Sequence, residues 1–324
     1  MISRFQKTIM ASALATLAST ALAQNYPAKP VRILTASPGG PYDVMLRAIS
    51  PALQTSLGQA LVVDNRVGAN YIPLVDACAK AAPDGYTLCT ADLNANVLNL
   101  HALSKPPFAA KDFTPIVHFG YLYSALIVHP SVPANSLKEL LALAKAKPES
   151  LNFGSPGPTS TASMYVEYWK KAGVASFQNI GYKSFVQSLN AVVAGEVHAT
   201  TFSVGGAMAQ VRAGKVKALA IVGQSRSNLA PDVPTFAEAG MDLTLTNFGG
   251  MLAPAGVSRE IVMRWNGEFK KLLANPEIRQ KAFENQGFEQ QPPSGGTPEE
   301  FAAFLSAENE KIAKVVKLIG LRLD

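Results

Sequence analysis

A short β-branched run, Val31-Arg32-Ile33-Leu34-Thr35, breaks into Ser37-Pro38-Gly39-Gly40-Pro41 and then into apolar residues at helical spacing, Val44, Leu46, Ile49 and Leu53. That is a strand, a tight glycine turn and a helix start. The free N–H groups and dipole at such a helix start favour an anion. Pro41 suits the first helical turn, where its missing N–H has no partner to lose. An ordinary βα connection needs the same residues, so the rest of the chain has to decide between a site and a plain turn.

The pattern repeats. Ala60–Asp64 is a second strand, a helix carries Leu74, Val75 and Cys78, and Gly85–Thr90 is a third strand running into the polar residues Asp92, Asn94, Asn96 and Asn99. Alternating strands and helices with short turns predict an α/β fold with a mostly parallel sheet, whose ligands sit beyond the carboxyl ends of the strands. The loops at 38–43, 68–71 and 92–99 all fall at that edge. After extended runs at 116–120 and 124–129, a second α/β set follows. It has strands at 151–155, 178–181, 200–204 and 216–222, with the turn Pro156–Thr161 opening a helix to Lys171. The chain crosses back through Leu243–Leu252 and ends in helices over 260–273 and 298–318. Two sets joined by two crossings predict two lobes around a cleft, a common ligand position. The expected limits are 24–122 plus 245–324 for lobe I and 123–244 for lobe II.

Residues 1–23 read as a signal peptide. Arg4 and Lys7 precede an apolar stretch, and Ala21-Leu22-Ala23 forms a cleavage pattern before Gln24. Export to the periplasm as a soluble protein follows. Without Arg4 and Lys7, the 29 basic residues fall to 27 against 23 acidic, and they are scattered, so nucleic acid is not an expected partner. Cys78 and Cys89 flank the turn Ala82–Gly85. In an oxidising compartment they either pair or stay as two buried thiols.

Catalytic constellations are scarce. The four histidines, His101, His118, His129 and His198, lack zinc-ligand spacing, and neither a G-x-S-x-G elbow nor a phosphate-binding or dinucleotide glycine loop occurs. No metal or cofactor is expected. What converges on the loops is Ser, Thr, Asn, Tyr and backbone N–H, which are binding groups.

Several motifs then resemble one family along residues 26 to 324. They are Tyr26, Pro27, Lys29 and Pro30; Pro38-Gly39-Gly40 with Asp43 and Arg47; Asp64-Asn65-Arg66 with Gly68-Ala69; and Ala79–Thr87. Lys111-Asp112-Phe113, Pro231–Thr235, Leu252–Gly256 and Thr297–Phe301 complete the set. The chain resembles the Bug family, the periplasmic solute receptors of tripartite tricarboxylate transporters. The resemblance implies a two-lobed type II binding protein, or Venus flytrap, rather than an enzyme. It would close as a monomer on a small carboxylate (a di- or tricarboxylate, an acidic amino acid or an aromatic acid) and pass it to membrane permease subunits. By position the ligand groups would be Pro38, Gly39, Gly40 and Asp43 in lobe I, and Ser155, Gly157 and Ser160 in lobe II, with Tyr182 and Lys183 in the family's Tyr-Lys loop. Two other readings compete with this one: an exported α/β enzyme with a dispersed active site, and a solute sensor for a receptor kinase.

Departures from the family's pattern also mark the cleft. Pro41 and Tyr42 stand where Gly and a small residue are usual, and Asn70 and Tyr71 replace a Gly pair. Thr159 replaces Gly, Ser163 replaces His, Phe185 replaces a small residue, and Ser203 precedes an unusual Gly205-Gly206. Tyr42, Asn70, Thr159 and Ser203 therefore join the expected ligand set. The added aromatics Tyr42, Tyr71 and Phe185 either accommodate an aromatic carboxylate or fill a smaller pocket.

Overall fold

The computed structural model describes residues 26–320; the expected signal peptide lies outside the described residues. Strand β1 (Val31–Thr35) buries Val31, Ile33 and Leu34 and leaves Arg32 exposed. It pairs in parallel with β2 (Leu61–Asn65) and β3 (Thr87–Ala91), in registers Ile33↔Val63 and Ile33↔Leu88. Helix α1 (Pro41–Leu57) starts with proline in its first turn and ends at Gly58, which closes it in the left-handed conformation at φ 70. Its apolar face (Met45, Leu46, Ile49, Leu53) packs in a core with Trp265 and Phe269 of a later helix.

The first sheet has the order β11-β4-β10-β3-β1-β2. Strand β4 (Phe113–Leu122) runs to the edge of this lobe, Tyr123 follows, and β5 (Ser124–Val128) already belongs to the second sheet. That sheet, β7-β6-β8-β5-β9, contains β6 (Asn152–Ser155), β7 (Gln178–Gly181), β8 (Ala199–Ser203) and β9 (Lys217–Val222). The chain returns as β10 (Asn247–Pro254), antiparallel to β4 with Asn247 opposite Leu122, and ends the sheet with β11 (Phe288–Glu289). The parallel character expected from the βα units holds for β2-β1-β3 and β7-β6-β8. The crossing strands β4, β5 and β10 run antiparallel to their neighbours, because a chain that leaves a sheet and re-enters beside its exit must reverse.

The helices are α2 (Ile72–Ala79), α3 (Asn99–Ala102), α4 (Leu137–Ala146), α5 (Thr161–Lys171), α6 (Phe185–Ala194), α7 (Val204–Arg212), α8 (Arg259–Ala274) and α9 (Pro298–Ile319). A reciprocal capping box between Thr297 and Glu300 starts α9. This last helix packs on β4 of the first lobe and on α5 of the second, and Phe301, Ile312 and Val316 share a core with Trp169 and Phe153. Two expectations shift. Residues 93–99 form helix rather than a polar loop, with a π-helical turn at Asn94–Leu98 running into α3, and Asp92 just before it accepts the Ala95 N–H on Oδ1 at 2.6 Å. The returning strand begins at Asn247, four residues later than the apolar pattern implied, since the Leu245 N–H is taken by the Tyr165 hydroxyl.

Cys78, at the end of α2, and Cys89, on β3, are joined as a disulfide. His118 on β4 is fully buried among Tyr121, Phe248, Phe301 and Phe304, with the Phe304 ring 4.6 Å away. Burial pushes its imidazole down to about 3. Between that value and its unfolded value near 6.5, the unfolded chain binds more protons than the folded one. His118 therefore lowers stability as pH falls through this window, by about 1.4 kcal/mol per pH unit. Denaturant unfolding of wild type and His118→Phe at several pH values should give a stability difference that shrinks or reverses toward acid. A constant difference would assign no linkage to this residue.

Candidate functional site

A small cavity of about 40 Å³ lies between the two sheets. Lobe I contributes Pro41 and Tyr42 from the first turn of α1, Tyr71 from the turn before α2, Leu122 from the end of β4 and Asn247 from the start of β10. Lobe II faces them with Ser124, Thr161, Tyr165, Phe185, Thr201, Phe202, Ser203 and Val222. Five aromatic rings, those of Tyr42, Tyr71, Tyr165, Phe185 and Phe202, contribute to the walls. Among the described residues, the hydroxyls of Tyr71, Ser124, Thr161, Thr201 and Ser203 have no hydrogen-bond partner. A hydroxyl donates one hydrogen and accepts with two lone pairs, so such a ring suits a polar oxygen group set against an apolar body. Among the described residues, no Lys, Arg, His, Asp, Glu or Cys lines the cavity.

Of the residues expected from sequence, Tyr42 and Ser203 line this cavity, and Gly40 lines a smaller space of about 20 Å³ beside it. Gly39 takes φ +73, which favours glycine, and its N–H is bound by Asp43 Oδ2 at 3.0 Å. Asp43 also accepts from Arg47 Nε and Asn65 Nδ2, both at 3.0 Å. Burial works against its charge, but the bonds from Arg47, Gly39 and Asn65 prevail and hold the carboxyl below its usual range. Its role is to brace the Pro38–Gly40 turn. The serines of the second loop turn inward: the Ser160 and Ser163 hydroxyls donate to the Gly157 carbonyl at 2.8 and 2.7 Å, and Ser160 Oγ accepts the Ser163 N–H as helix cap. Ser155 Oγ also approaches Gly157 O, at 3.5 Å. Tyr182 gives its N–H to the Ser155 carbonyl and Lys183 is exposed, and neither reaches the cavity.

Two departures from the family pattern are partners. Asn70 Nδ2 reaches across the cleft to Thr159 O at 2.7 Å and Thr159 Oγ1 at 2.9 Å. Asn99 fixes this asparagine from behind, accepting from Asn70 Nδ2 at 3.1 Å and donating to Asn70 O at 2.8 Å. Both Asn70 (φ 47) and Tyr71 (φ 70) are left-handed, a conformation that asparagine tolerates and an aromatic residue pays for in strain. A second bond crosses nearby: Asn94 Oδ1 accepts the Thr161 N–H at 2.8 Å, so a protein amide caps the helix start that the sequence pattern offered to an anion. Asn70 Oδ1, Asn94 Nδ2 and Asn96 Nδ2 are buried without partners among the described residues.

Asp92 follows β3; the next residue, Leu93, donates its N–H to Asn247 Oδ1 at 2.7 Å, and Asp92 itself is buried. Burial drives its carboxyl up to about 7, against the hydrogen bonds from the Ala95 N–H, the Asn247 side chain and the Asn94 N–H. Tyr42 and Tyr71 are raised well above the usual tyrosine value, first by burial and then by Asp92. The Tyr42 hydroxyl donates to the Phe248 carbonyl at 2.7 Å and its ring packs edge-on to Phe288, so it fills space here as well as walling the site. Sequence reading missed Ser124, Thr161, Thr201 and Asn247. The signal available was β8, Ala-Thr-Thr-Phe-Ser, where three hydroxyls occupy a strand buried at every position.

Comparison with known proteins fits this architecture. Residues 45–321 match the family described as Tripartite tricarboxylate transporter family receptor. Protein BugT of Bordetella pertussis is 31% identical over 315 residues, covering 96% of this chain and 95% of BugT. A Rhodopseudomonas palustris protein solved with adipate superposes with TM-score 0.86 at 26% identity, over 92% of this chain and 100% of the other. MatC from Rhodopseudomonas palustris, solved with bound malate, gives 0.83 at 25% identity over 90% and 100%. The chain thus belongs to the tripartite tricarboxylate transporter receptor family, among its Bug-type members.

Proposed function

We propose that this chain is a periplasmic receptor that closes two lobes, 24–122 plus 245–324 and 123–244, on a small carboxylate solute and delivers it to membrane permease subunits. The observation that carries the reading is the ring of unpartnered hydroxyls from both lobes around one cavity. The solute carboxylate would meet Ser124, Thr161, Thr201 and Ser203, with its body against Tyr42, Tyr71 and Phe185. Nothing lining the cavity pairs a nucleophile with a base, which favours binding over turnover. Similarity to proteins solved with adipate and malate supports a carboxylate.

The test is a thermal-shift panel of mono-, di- and tricarboxylates, acidic amino acids and aromatic acids on the mature chain. A solute at about 100 times its Kd adds roughly 2.7 kcal/mol and raises the midpoint. A flat panel on protein stripped of bound solute by unfolding and refolding would overturn the reading. Asn70 should then report on closure. Asn70→Gly keeps the left-handed backbone but removes both bonds to Thr159, and should weaken solute binding roughly tenfold by calorimetry. Unchanged affinity would place no closure energy in this contact.

A further inference from the structure

We infer that Asp92 restricts the solute to a single negative charge, so that this receptor selects a monocarboxylate over di- and tricarboxylates; this rests on the carboxylate-receptor reading above. Asp92 is 3% exposed, and the two residues after it bond to residues that line the cavity: the Leu93 N–H donates to Asn247 Oδ1 at 2.7 Å, and Asn94 Oδ1 accepts the Thr161 N–H at 2.8 Å. It faces Tyr42 from α1, Tyr71 from the turn before α2 and Asn247 from β10, and these three residues line the cavity. Its Oδ1 takes the Ala95 N–H at 2.6 Å, and its other hydrogen bonds come from Asn94 N–H and the Asn247 side chain. All of these are neutral groups. No lysine, arginine, histidine or second carboxylate among the described residues acts on it.

The same absence holds for the cavity itself, which no cationic side chain lines. The Asp43–Arg47 pair on α1 is satisfied within lobe I, and the Arg47 side chain is largely exposed. One solute carboxylate can be stabilised there by hydroxyl donors alone. A second would sit beside Asp92 in a poorly screened interior with no counter-charge, where like charges repel several times more strongly than in water. A dianion therefore enters only by forcing a proton onto Asp92, or by giving up a charge itself. The site discriminates through that repulsion, in addition to any discrimination by shape.

Matched pairs isolate the charge: hexanoate with adipate, and benzoate with terephthalate, each pair differing by one carboxylate. Calorimetric titration of the mature chain at about pH 8.5 should favour the monoacid of at least one pair by roughly tenfold or more. Asp92→Asn removes the charge while keeping the size, and should strengthen dianion binding about tenfold with little change for the monoacid. Wild type at about pH 6, where Asp92 holds its proton, should approach the variant. That pH profile is read on wild type, so it decides the matter even if the variant fails to fold. Dicarboxylates that bind as tightly as their monoacid partners at high pH, with no gain on acidification or in Asp92→Asn, would overturn the inference and leave the receptor reading intact. Binding of none of these probes, together with a flat wider panel, would instead overturn the receptor reading.

Discussion

Gly205→Ala should separate the two lobes where α7 meets the turn before β11. A Cβ at this position would stand 2.1 Å from the Asn285 carbonyl oxygen and 2.9 Å from the Gln286 backbone, all of it main chain with no side chain to swing away. The backbone would have to retreat by more than about an ångström to reach ordinary contact. The region is tightly tied: Val204 N–H binds the Tyr123 carbonyl and Tyr123 N–H binds the Gly287 carbonyl, both at 2.9 Å, beside the passage from β4 to β5. The expected cost is about 1–3 kcal/mol of stability or somewhat more. Solute affinity should fall at least tenfold, because the two halves of the cavity are carried on the separated elements. Gly206→Ala is the control for lobe separation only: its Cβ would meet the Phe202 ring at 2.4 Å within lobe II, so it strains one lobe, and the part of the cavity wall that Phe202 forms, without wedging apart the pair. Solution scattering and calorimetry on both variants would decide. A Gly205→Ala protein that binds and scatters like wild type sinks the idea.

The second large effect concerns the disulfide. Cys78 and Cys89 lie 11 residues apart and both are buried, so their bond holds α2 against β3. Closing a loop of this length stabilises by roughly 3 kcal/mol in the chain-entropy account. Replacing both by Ala should lower the melting temperature by about 6–12 °C, at the roughly 2–4 °C per kcal/mol expected for units of about 150–250 residues. Affinity should fall with it. Helix α2 begins one residue after Tyr71, and a helix free to shift would loosen the turn that presents Asn70 and Tyr71 to the cleft. Melting curves and titrations of the double variant, with and without saturating solute, separate the two effects. An unchanged midpoint would mean that packing alone holds α2 in place.

How much of this was legible beforehand follows from where each residue's partners lie. Strand β1, its glycine turn and α1 are local: the alternation of Val31, Ile33 and Leu34 with Arg32, then Pro41 and the spaced apolar positions, can be read within thirty residues or so. The C-terminal helices announced themselves in the same way, through apolar residues at helical spacing such as Trp265 and Phe269 on one face. The cleft was legible only as a location. Asn94 looked like a loop residue because its partner, the Thr161 N–H, is 67 positions away, and Asn70 answers to Thr159 at a distance of 89. Polar residues buried against another lobe are indistinguishable in sequence from polar residues in water. Ser155 and Ser160 show the opposite case. A Gly-x-x-Ser turn has a carbonyl of its own to satisfy, and Gly157 O draws these hydroxyls inward. The hydroxyls that face the cavity, on Tyr71, Ser124, Thr161, Thr201 and Ser203, are collected from four separate segments, and only Thr201 and Ser203, both on β8, share a local pattern.

The position of β10 carries a consequence in time. It lies between β3 and β4, pairing Gly250 with Ala91 and with His118, so the first sheet lacks an interior strand until residue 254 has joined. The second sheet is drawn wholly from residues 124–222. A chain emerging from its N-terminus can therefore complete the inserted lobe while the lobe that began first still waits for its middle. Pairings that span some 160 residues form late and slowly, because a long loop must close before they contribute. The strand that closes the interior of the first sheet is thus the very one whose first residue, Asn247, faces the cavity: the site is completed together with that sheet's interior, with β11 and the C-terminal helices still to follow.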